Sequence, residues 1–133
     1  MLTGKNLYDI AKCRYEEAQI LLNNNKADGA VYLCGYSLEL ILKRRIVKLL
    51  DLDSYPEDEN YKSFKVHNLD VLLKLSGLEK KIQSNNVIYA RWQMVHTWNS
   101  EIRYKEIGKV SVAEAQDIIS ATRETINFIL HSI

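Results

Sequence analysis

The chain has little of what builds sheets and tight turns: five glycines and one proline in 133 residues. Sheet-rich folds use more of both, so helices are expected. Cys13 and Cys34 are the only cysteines and form no C-x-x-C pair. Each falls inside a helical pattern, which predicts two buried, reduced thiols in a cytosolic protein. No apolar run reaches the roughly 18 residues that a membrane span needs. The closest, residues 29–42, contains Glu39 and is followed by Lys43-Arg44-Arg45. The opening Met1-Leu2-Thr3-Gly4-Lys5-Asn6 has no apolar core of a signal peptide, so no membrane association and a cytoplasmic location are expected. A net charge of +1 gives no overall attraction for polyanions, and any nucleic-acid contact requires a local patch. The three histidines and two cysteines make no zinc pattern. There is also no G-x-x-x-x-G-K-[ST], G-x-G-x-x-G or G-x-S-x-G. ATP hydrolysis, dinucleotide chemistry and serine hydrolysis therefore lack local support, and neither a metal nor a cofactor is expected.

What is present is a chain of 47% apolar and 26% charged residues, long enough for one domain over 1–133 with its own core. Apolar spacing predicts a helix over 3–22, capped by Thr3 and broken by Asn23-Asn24-Asn25. A second helix is predicted over 26–50. It is apolar on nearly every face from Ala30 to Leu42, as suits a helix inside a bundle or against a partner chain. Its basic last turns, Lys43-Arg44-Arg45-Ile46-Val47-Lys48, suit either the helix dipole or a phosphate-attracting patch. Residues 51–65, with five carboxylates and Pro56, read as a solvated connection without calcium-loop spacing. A short helix over 68–76 is capped by Asn68 and ended by Gly77. A further helical stretch runs over 78–98, with Asn85-Asn86 placed to kink or divide it. After a connection over 99–109, Ser111-Val112-Ala113-Glu114 fits a capping box opening the last helix. Five helical segments with short links predict an all-α antiparallel bundle of four to five helices.

The densest chemistry lies between Arg91 and Tyr104, which holds both tryptophans, two arginines and His96. Arginine grips phosphate through a fork of donors, and histidine moves protons near neutral pH. On an unbroken helix, Arg91 and His96 would point roughly 140° apart. They converge if the helix loosens, if the arginine reaches across, or if a second chain completes the site. Such a pair suits metal-independent RNA cleavage. His96 would transfer the proton and Arg91 would stabilise the phosphorane. Trp92 and Trp98 are placed either to stack on bases or to anchor the core. Arg103 and Tyr104 could contact phosphate or form a structural hydrogen bond. Glu39, on an apolar and aromatic stripe, needs a donor, for which Lys43, Tyr32, Tyr36 or a residue of the fourth helical stretch is available. It is either a satisfied anchor or an orienter of a catalytic Arg or His. His67, next to the cap Asn68, reads as a capping or interhelical hydrogen-bonding residue.

Three blocks together resemble a HEPN domain, the helical module named for higher eukaryotes and prokaryotes nucleotide-binding. The first is Gly29 to Lys43, with small and aromatic residues before Glu39-Leu40-Ile41-Leu42-Lys43. The second is Val66-His67-Asn68-Leu69-Asp70-Val71-Leu72, and the third is Arg91 to Tyr104. The resemblance implies an all-α bundle that commonly forms homodimers. Many family members are ribonuclease toxins with an Arg-x₄₋₆-His motif at the dimer cleft, often paired with a small nucleotidyltransferase as antitoxin. Other members are noncatalytic nucleotide-binding or protein-interaction modules. Arg91 and His96 match the motif by spacing, and Trp98 stands where many active members have tyrosine. Trp92 departs from the polar residue usual after the arginine. The resemblance thus implies either an endoribonuclease of toxin or defence type, with Arg91, His96 and Glu39 in its site, or a binding module. In the latter, Arg91, Trp92, Trp98 and Arg103 would serve packing or docking.

Overall fold

The computed structural model describes residues 2–57, 60, 64–101 and 107–132. It contains α1 (Gly4–Asn23), α2 (Ala27–Leu49), α3 (Leu69–Leu75), α4 (Glu79–Gln83), α5 (Asn86–Val95) and α6 (Val112–Leu130), with no strand among the described residues. The all-α class holds, and the described residues form six helices rather than four to five. The extra helix comes from Asn85. Its backbone is extended (φ −103, ψ 104) and its side chain accepts from Ile88 N, so it stops α4 and caps α5. The stretch predicted to reach residue 98 ends at Val95.

Local chemistry sets the other ends as well. Thr3 caps α1 in a reciprocal box with Asn6. Asn25 takes the left-handed conformation (φ 62), which lets Lys26 N donate to Leu21 O at 2.8 Å and turns the chain into α2. Asn68 accepts from Val71 N at the start of α3, and Gly77 (φ 76) ends that helix. Ser111 accepts from Glu114 N at 3.0 Å. The Glu114 carboxylate takes up the Ser111 hydroxyl, so the box is closed through side chains.

α2 is the central element: α1, α3 and α6 pack on it, α5 packs on α6, and α4 on α5. This explains its all-round apolarity. Leu38, Leu40, Ile41 and Leu42 are all buried, each contributing about 1.5–3 kcal/mol. The basic end of α2 divides: Arg44 and Lys48 line a surface groove with Lys5 and Asp51, and Lys43 and Arg45 do not. Lys43 turns inward, the Arg44 guanidinium lies 5.3 Å from the Tyr8 ring centroid, and Arg45 donates to Ser132 O. Both thiols are free, but only Cys34 is buried; Cys13 is exposed, contrary to expectation. The inner face of α1 is Leu7, Ala11, Ala18 and Leu22, and Cys13 falls outside it. Burial pushes the Cys34 thiol up to about 12, against a hydrogen bond with Thr122 that lowers it. No helix among the described residues is long and apolar enough to cross a membrane.

Candidate functional site

Glu39 is 2% exposed, and its Oε2 receives two donors. Lys43 Nζ, one helical turn on, lies at 3.0 Å, and His67 Nδ1, in the segment before α3, also at 3.0 Å. The same ammonium sits 5.1 Å from the Tyr55 ring centroid, and the Tyr55 hydroxyl donates to Phe64 O. Burial first, and the Glu39 charge second, push the Tyr55 hydroxyl up to about 12. Tyr36 is raised by burial, then by Glu39 and Tyr32, with Arg14 opposing. Glu39 therefore found Lys43 as a donor. Its second donor, His67, was not among those expected. These contacts tie the approach to α3 onto α2, and neither Arg91 nor His96 is among them.

His96 caps the C-terminal end of α5. Its Nδ1 faces the Asp70 carboxylate at 3.1 Å (Oδ2) and 3.2 Å (Oδ1). Asp70 Oδ1 also accepts from Trp92 Nε1 at 3.3 Å, while the Trp92 and His96 rings lie 6.5 Å apart and tilted by 31°. One carboxylate in the first turn of α3 thus engages both Trp92 of α5 and its C-cap His96. The i, i+3, i+4, i+7 set Tyr89, Trp92, Gln93 and His96 lines a cleft of ≈ 150 Å³, opposite Asp70 and Glu79. Asp70 was not singled out from the sequence. The available signal was its position two residues after Asn68, where a cap-proximal carboxylate is expected for the helix dipole alone.

Arg91 does not line that cleft. Its Nε donates to Glu124 Oε2 on α6, and both side chains are partly exposed. The two residues of the Arg-x₄-His spacing are therefore held by carboxylates of different helices: Glu124 of α6 and Asp70 of α3. Within one chain they stand on diverging sides of α5, as the helical angle requires.

Both tryptophans are buried in the core, Trp92 at 3% and Trp98 at 8% exposure. Trp98 lies beyond α5, its ring against Gly35 and 6.0 Å from the Tyr32 ring. A β-carbon on Gly35 would collide with the indole, so α2 has a side-chain gap where Trp98 seats. Neither face is free to stack on a base. Arg103 and Tyr104 lie outside the described residues. Compared with protein-family models, curated proteins and solved structures, the chain gives no match.

Proposed function

We propose that this chain is a HEPN-type helical module that acts by binding: a noncatalytic unit that pairs with a second copy and with a small nucleotidyltransferase. The divergence of Arg91 and His96 carries this reading. Each is engaged by its own carboxylate, on α6 and on α3, so one chain lacks the joined Arg–His site that phosphoryl chemistry needs. The cleft beside His96 presents Asp70 and Glu79, which repel phosphate and favour a protein partner over a nucleotide.

A metal-independent endoribonuclease is the second reading, favoured by the Asp70–His96 contact. A carboxylate on Nδ1 holds the imidazole in one orientation and leaves its other ring nitrogen for proton transfer. His96 would then take the 2′-hydroxyl proton as that oxygen attacks phosphorus, or protonate the departing 5′-oxygen. Arg91 from a second copy would hold the phosphorane charge.

Wild type, His96→Ala and Arg91→Ala are incubated with structured and single-stranded RNA in EDTA, beside sedimentation equilibrium of the wild type. A dimer that leaves RNA intact is the expected result. Cleavage by the wild type that both substitutions abolish overturns the binding reading in favour of the nuclease.

A further inference from the structure

α1 and α6 both rest on α2 and leave a groove between them, on a different part of the bundle from the His96 cleft. Its volume is ≈ 130 Å³. That is close to the roughly 150 Å³ apolar cavity that accepts a benzene ring in an engineered helical protein. The base is apolar, with Ile41 of α2 and Ile126 of α6, while the Tyr8 and Tyr15 rings of α1 flank it. Ser37, also lining it, already donates to Ala11 O at 2.7 Å and makes no further demand on a ligand.

The charge at this groove is of one sign. Lys12 on α1 and Arg123 on α6 stand at its two walls, and none of the described lining residues is acidic. Among the described residues, neither cation has a carboxylate partner; the ion pairs of these two helices are Lys5–Asp9, Arg14–Glu17 and Arg91–Glu124. Asn127, one turn beyond Arg123, adds an amide donor on the same face. A ring-sized apolar base beneath two unpaired cations is complementary to a ring that carries an anion.

We infer that this groove binds a small aromatic carboxylate, its ring against Ile41 and Ile126 and its carboxylate between Lys12 and Arg123. The inference is independent of whether the chain cleaves RNA. Benzoate is the probe, with benzyl alcohol as the ring without charge and acetate as the charge without ring. Binding is followed by amide NMR shifts of Ala11, Ser37 and Ile126. Benzoate is expected to move these amides saturably, and acetate is not. The double variant Lys12→Gln/Arg123→Gln, at two exposed positions, should weaken benzoate about tenfold and leave benzyl alcohol unchanged. The inference is overturned if benzoate at tens of millimolar moves none of these amides. Equal shifts from acetate, or equal benzoate affinity in the double variant, overturn it as well.

Discussion

Asp70 holds His96 and Trp92 at once: Oδ1 accepts from the indole at 3.3 Å while both oxygens lie within 3.2 Å of His96 Nδ1. The contact fastens the end of α5 to the start of α3. Together with Arg91–Glu124, it holds Arg91 and His96 towards different helices.

Asp70→Ala leaves the indole N–H of a 3%-exposed tryptophan without its acceptor. Loss of such a bond costs about 1–3 kcal/mol. Asp70→Asn keeps an acceptor oxygen and removes only the charge at the start of α3, about 0.3–1 kcal/mol. Urea unfolding should rank wild type, Asn and Ala in that order. An Ala variant as stable as wild type would show that the carboxylate contributes nothing to α5 docking.

Glu39→Ala strands the buried Lys43 ammonium, a change expected to cost about 3–5 kcal/mol. The double variant Glu39→Leu/Lys43→Met removes both charges and should recover much of that loss. Denaturant midpoints of the two variants decide the point. Equal stability of single and double variants would mean that the stranded charge is not the source of the cost.

Gly35→Ala puts a methyl group into the Trp98 ring, expected to cost about 1–3 kcal/mol through overpacking. In a Trp98→Leu background the same change should cost less, because the obstructing ring is gone. A double-mutant cycle measures the difference, and additivity of the two changes would place the conflict elsewhere.

The Tyr55 hydroxyl is raised to about 12, against about 10 in an unfolded chain. Between these values the unfolded chain has released the proton and the folded one retains it. Stability from this group is therefore complete below pH 10 and falls as pH rises towards 12. Tyr55→Phe should flatten that alkaline loss, as read from unfolding midpoints against pH. An unchanged slope would assign the loss to other groups.

The helix ends were legible because capping is local. Thr3, Asn68 and Ser111 each satisfy a backbone N–H three residues on, and Asn85-Asn86 marked the division between α4 and α5. The apolar run around Leu38 to Leu42 announced a central helix because such a helix needs cover on every side. Glu39 was legible as a group in need of a donor, and Lys43 lay within one turn of it. Cys13, expected to be buried, lies roughly 150° around α1 from the stripe of Leu7, Ala11, Ala18 and Leu22. His67 was legible as an interhelical hydrogen-bonding residue, but its partner Glu39, 28 residues away, was not.

By itself, then, the sequence determined helix class, most helix limits and the roughly 140° separation of Arg91 from His96, since all three follow from backbone geometry over a few residues. Only the tertiary structure decided where those two side chains go. Glu124 is 33 residues from Arg91, and Asp70 is 26 from His96. Periodicity within a helix says which residues share a face. It does not say which carboxylate on another helix meets them, because that depends on how α3 and α6 pack around α2 and α5.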